Sequence, residues 1–190
     1  MQHEKPTIQS PFHTFSKSSE RKLTIVLGIS LIVFISIMRY FDGQIQHAEN
    51  TQGIVSFELA KELATSEAIL NSWDPLSKTA AGMSMGFDFL FLIVYALFIS
   101  IIIHKLNERL WKHSSIYSLG SILIWAVFLA ALFDSIENIA LIKLLMGDLK
   151  QLWSSIAYYF AIAKFSLLAI SILFILFNSV LLLFREKIIQ

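Results

Sequence analysis

The stretch Ala131–Leu145, ALFDSIENIALIKLL, reads as hydrocarbon except for Asp134, Glu137 and Asn138, which fall within about one helical turn. Two carboxylates and an amide in an apolar run either break it into soluble pieces or form a polar site inside a membrane-spanning helix. The rest of the chain selects the second, because 56% of the 190 residues are apolar and only 15% are charged. About 20 apolar residues on a helix cross a ~30 Å hydrocarbon core. Four segments reach that length, at about 23–41, 86–104, 116–146 and 156–184. The expected fold is therefore an all-α integral membrane protein with four transmembrane helices.

Composition also excludes chemistry. The chain has no cysteine, so disulfides, thiolate catalysis and soft metal sites are absent. A net charge of +1 gives no footprint for nucleic acid. No phosphate-binding loop, dinucleotide fingerprint, nucleophile elbow or zinc-protease motif occurs, so no cofactor is expected. No metal is expected either. The paired Glu-x-x-His of di-iron bundles is missing, and of the five histidines only His47 falls on the outer side. The spacing Asp134-x-x-Glu137 is short and common.

Lys and Arg near span ends resist translocation. Lys5, Lys17, Arg21 and Lys22 precede the first span, Lys105, Arg109 and Lys112 follow the second, and Arg185 and Lys187 follow the fourth. The expected arrangement is a cytoplasmic arm at 1–22, a bundle at 23–184 and a cytoplasmic tail at 185–190. Both termini are then cytoplasmic, in the inner membrane of a bacterium. The first span reads as an uncleaved anchor, since RYFDGQIQHAEN after it offers no small-residue cleavage pattern.

The first external connection contains GIVSFELAKELATSEAILNSWDP, in which Val55, Leu59, Ser66, Leu70 and Trp73 recur at helical spacing. This predicts one amphipathic interfacial helix over about 53–73, stopped by Pro75, with Trp73 at the head-group level. It either caps the bundle or acts as a lid that points Glu58 and Glu62 into a site.

Ionisable residues inside a bilayer need partners. Counting ~1.5 Å per residue from the outer ends puts Asp134 at roughly 13 Å, Lys164 at roughly 12 Å and Asp88 at roughly 5 Å. Matched depth predicts an Asp134–Lys164 pair, and Arg39 is expected to pair with Asp42 or Asp88. At about 100° per residue, Asp134, Glu137, Asn138 and Leu141 share a stripe with Ala130, Ala131, Val127 and Gly120. Lys164 shares one with Ala157, Phe160, Ala161, Leu168, Ser171 and Asn178. Asp88 lies with Tyr95 and Ile99, and Arg39 with Asp42, Ser36, Ile32 and Gly28. Small and polar residues beside each charge point these faces into a bundle.

The combination of GIVSFELA, AILNSW, DFLFLIVYAL, DSIENIALI and AKFSLLA resembles a family of small bacterial four-helix membrane proteins. The resemblance covers most of residues 40–170. It implies that Glu58, Asp88, Tyr95, Asp134, Glu137, Asn138 and Lys164 form a set, and implies no activity. A weaker, architectural likeness is to the emopamil-binding and sigma-2 receptor class, whose acids hold sterol-like amines. This chain departs from that class in Lys164 and in lacking a pocket histidine.

Two accounts of the cluster remain. One is a structural lock that fixes helix order. The other is a binding site for a membrane lipid or another amphiphilic small molecule, such as an isoprenoid. Arg39, Glu58, Asp88, Tyr95, Asp134, Glu137, Asn138 and Lys164 would line that site, with the tail along Val127, Ala130 and Ala161. A desolvated carboxyl there tends toward a raised pKa and suits general acid or base work. A proton-coupled carrier or channel component, and a subunit of a membrane complex with a protein partner or in a homo-oligomer, are the alternatives from other classes.

Overall fold

The computed structural model of the chain describes residues 9–46 and 52–188, and the side chains of 185–188 fall outside that description. Lys5, His47 and the side chains of Arg185 and Lys187, which bear on the sequence reading, lie outside the described residues. Among the described residues six helices follow in order: α1 (Lys17–Ile45), α2 (Ile54–Glu58), α3 (Leu63–Ser72), α4 (Pro75–Leu110), α5 (Ile116–Leu145) and α6 (Gln151–Ile188). There is no strand among the described residues. The helices α1, α4, α5 and α6 are long and apolar enough to cross a membrane. The protein is an all-α integral membrane protein with four transmembrane helices.

Local chemistry sets the helix starts. Ser16 caps α1, its hydroxyl accepting the Ser19 amide at 3.1 Å. Asp74 caps α4, its carboxylate accepting the Ser77 amide at 2.7 Å, and Pro75 takes the first helical position, where a missing N–H costs nothing. Pro75 is thus a start as well as a stop, and the second span, expected from 86, belongs to a helix that begins at Pro75. The reason is composition, since PLSKTAAGMSM is small and polar enough to escape an apolar-run criterion yet forms a helix once capped. Between α5 and α6 the chain reverses at Gly147, whose φ of +91° suits a residue without Cβ. Asp148 fixes that turn by accepting from Lys150 Nζ and from Trp153 Nε1, each at 2.8 Å. Those bonds hold its carboxyl below the ordinary carboxylate range.

Packing divides the bundle unevenly. The helices α4, α5 and α6 pack on one another, whereas α1 packs chiefly on α4. The buried side of α1 runs through Leu27, Phe41 and Ile45, with Leu31, Phe34 and Met38 partly covered between them. One end carries the short helices and is the capped end. The other gathers Lys17, Arg21, Lys105, Arg109 and Lys112 around one cavity and is the basic end. The arm before α1 is not loose throughout, since Phe12 is buried with Leu27 and Ile101 at the basic end.

The amphipathic helix expected at 53–73 is two helices. Lys61 adopts a φ of +56°, and α2 ends at Glu58 before α3 starts at Leu63. The break changes the facing of α2 alone: Val55 and Leu59 of the expected stripe are exposed and Phe57 is buried instead, while Ser66, Leu70 and Trp73 of the same stripe are buried, with Ile69 beside them. Trp73 sits in the core beneath the cap. Its indole donates to the Gln52 carbonyl at 2.9 Å and its ring meets Phe57 edge-on.

Candidate functional site

Four helices deliver one ionic network. Asp134 and Glu137 lie on the α5 stripe, and Lys164 lies on an α6 stripe that buries Ser154, Ala157, Ala161, Ser171 and Asn178. Small residues on that stripe let α5 and α6 approach closely enough for their side chains to meet. Lys164 Nζ donates to Asp134 Oδ1 at 2.7 Å and to Glu137 Oε1 at 2.9 Å, with Glu137 Oε2 at 2.8 Å. From α4, the Tyr95 hydroxyl donates to the other Asp134 oxygen at 2.9 Å. From the cap, Glu58 brings Oε1 to 3.9 Å from Lys164 Nζ.

The cluster is dry. Glu137 is 0% exposed, Asp134 4%, Lys164 5% and Glu58 8%. Three carboxyls therefore meet one ammonium, and Glu58 Oε2 is buried with no hydrogen-bond partner. Burial pushes the Glu58 carboxyl above its ordinary value, against the pull of Lys164. One turn toward the capped end, the Asn138 amide donates to Asp88 Oδ2 at 2.5 Å.

The structure thus brings together Glu58, Tyr95, Asp134, Glu137 and Lys164, with Asp88 and Asn138 beside them. It places Arg39 elsewhere. Arg39 is exposed and forms no ion pair with a described residue, because its stripe through Ile32 and Ser36 points away from the bundle. Asp88 lies about 20 Å along α4 from the helix start at Pro75. Glu62, the second acid of the expected lid, is the exposed N-cap residue of α3. The break at Lys61 separates its direction from that of Glu58.

The route expected for a ligand tail also changes. Val127, Ala130 and Ala161 are each 0% exposed, closed by helix packing, so no chain lies along them. Beneath the cluster, Ile124, Val127 and Ala131 form an apolar belt on α5. Below that belt is a polar band of which the α6 stripe signals only Ser171 and Asn178. Its other members are His104, Asn107 and Trp111 on α4. The Trp111 indole donates to Asn178 Oδ1 at 2.5 Å, and Asn107 Nδ2 donates to the Tyr117 carbonyl at 2.9 Å. His104, Asn107 and Trp111 recur at three and four residues, a signal legible in the sequence.

Among the described residues, no three His, Asp or Glu side chains are arranged to hold a metal ion. Comparison with protein-family models, with curated proteins and with solved structures finds no match for this chain.

Proposed function

We propose that the protein binds an amphiphilic small molecule of the lipid or isoprenoid class, whose head completes the cluster of Glu58, Asp134, Glu137 and Lys164. One observation carries this reading: three buried carboxyls share a single ammonium, and Glu58 reaches them from the cap with one oxygen unpartnered. Excess negative charge in a low-dielectric bundle is costly, and a pure lock needs only one pair. The complement is a head that brings positive charge or hydrogen-bond donors, such as an amine or a hydroxyl. Its tail leaves toward surrounding lipid and not along the closed α5–α6 seam. Asp88 and Asn138 line the edge of the same site. The membrane is read as a bacterial inner membrane, with the basic end cytoplasmic.

A proton-coupled carrier is the second reading, since carboxyls in excess also hold protons. The apolar belt of Ile124, Val127 and Ala131 lies between the cluster and the polar band below, which favours binding over a through-path. The test is native mass spectrometry of gently extracted protein. Wild type should carry one specific amphiphile, and Glu58→Gln should lose it at an unchanged folded yield, whereas Lys61→Gln should retain it. Equal retention in the Glu58 and Lys61 variants, or no specific amphiphile in wild type, would remove the reading.

A further inference from the structure

At the basic end, α1, α4 and α6 line an open cavity of about 880 Å³. This lies within the range of built ligand sites, roughly 300–1,000 Å³. Five cationic side chains face it: Lys17 and Arg21 from α1, Lys105 and Arg109 from α4, and Lys112 from the turn after α4. Lys17 and Arg21, and Lys105 and Arg109, are each four residues apart, so each pair lies on one face of its helix along one opening. The two acids in the lining are engaged already. Glu20 lies 3.5 Å from His104 Nε2. Glu108 accepts the Tyr117 hydroxyl at 2.5 Å and lies 3.4 Å from Lys112. The cavity keeps a positive excess.

Its deeper wall is different in kind. Ile102 and Leu106 on α4 and Leu182 on α6 are apolar. The apolar run of α1 begins at Leu23 and that of α4 ends at Ile103, so the cavity straddles the level where hydrocarbon gives way to head groups. Lys105 Nζ lies 3.4 Å from Thr24 Oγ1, which ties the two walls at that level. A soluble anion has no use for the apolar wall, and a neutral lipid has no use for the cationic rows. Basic clusters beside a span attract anionic lipid.

We propose that this cavity binds an anionic phospholipid of the surrounding leaflet. Lys17, Arg21 and Lys105 face its phosphate, and one acyl chain lies along Ile102, Leu106 and Leu182. The site is separate from the carboxyl cluster, lying beyond the apolar belt at the other end of the bundle, and either stands without the other.

The experiment uses the full chain in mild detergent, titrated with phosphatidylglycerol or with phosphatidylcholine of the same acyl chains, bound lipid being counted by native mass spectrometry. Phosphatidylglycerol should bind at least about tenfold more tightly. Arg21→Gln with Lys105→Gln should abolish that preference, leaving phosphatidylcholine binding as it was. Lys17→Gln with Lys112→Gln, both at exposed positions, should weaken it in the same direction and serves if the first pair fails to fold. Lys78→Gln with Lys143→Gln, at the capped end, should leave it intact. Equal binding of the two lipids, equal loss from the capped-end pair, or full displacement of phosphatidylglycerol by inorganic phosphate would each overturn the proposal, the last by assigning the cavity to a free anion.

Discussion

Lys164 holds Asp134 at 2.7 Å across the seam of α5 and α6, a contact between residues 30 apart in the chain. Because Glu137 and Glu58 also surround that ammonium, the pair is not symmetric. Asp134 has a second partner in Tyr95, while Lys164 is the only base that any of the three acids reaches among the described residues.

Removing Lys164 should therefore cost more than removing Asp134. Lys164→Met leaves three buried carboxyls uncompensated and should lower stability by about 3–5 kcal/mol. Asp134→Asn leaves Lys164 on Glu137 and should cost about 1.5–3 kcal/mol. The double variant should be less destabilised than the sum of the two, since contacting charges must show coupling. Thermal unfolding in detergent measures all three, and strictly additive losses would refute the shared site.

Glu58 gives a pH signature. Burial raises its carboxyl above the ordinary 4.5, so the folded protein binds more protons there than the unfolded chain. The sign follows from linkage: this contribution to stability is lost as pH rises from the ordinary value toward the raised one. Wild type should lose stability relative to Glu58→Gln over that window. Parallel pH profiles for the two proteins would show that Glu58 does not titrate upward.

Helix length governs which parts are legible in the sequence. In α5 and α6 the period of 3.6 runs over many turns, so periodicity alone gives the faces of Asp134, Glu137, Asn138 and Lys164 and their common depth. The same period puts Asp88 and Tyr95 on one stripe, but their membership of that set, with Glu58, rests on the resemblance and not on periodicity. Arg39 is not placed correctly by its pattern, because the apolar run of α1 surrounds the helix and leaves nothing to distinguish its lipid side from its packed side. The cap is not legible because its break falls on Lys61, a residue type that rarely takes positive φ and signals no turn. The arrangement of α2 and α3 is set by packing of Phe57 and Trp73 onto the bundle, which periodicity does not contain.

Gly120 on α5 makes room for Asn107. A Cβ at Gly120 would collide with the Asn107 side chain, which is buried and bonded to the Tyr117 carbonyl at 2.9 Å. Gly120→Ala should cost about 1–3 kcal/mol, the usual range for overpacking. Adding Asn107→Ala to that variant should return part of the loss by removing the obstructing atoms. Unfolding midpoints of the single and double variants decide the point; an unchanged midpoint in Gly120→Ala would mean that the helices separate freely there.

Orientation can be read chemically, because the chain has no cysteine and any introduced thiol is unique. Ala68 on α3 and His113 after α4 are exposed, one at the capped end and the other at the basic end. Lys and Arg in short loops set which end stays inside. The basic end joins Lys17, Arg21 and Lys22 of α1 to Lys105 and Arg109 near the end of α4 and Lys112 in the α4–α5 connection. In intact cells, Ala68→Cys should react with a membrane-impermeant maleimide, while His113→Cys should react only after the membrane is opened. The outcome bears on both proposed sites. If the pattern is as expected, the amphiphile cluster opens toward the outer leaflet and the phospholipid cavity draws on the inner one. If His113→Cys alone reacts in intact cells, the protein is inverted and each site samples the opposite leaflet. Labelling of both positions in intact cells would contradict a four-span bundle with the cap and the α4–α5 turn on opposite sides.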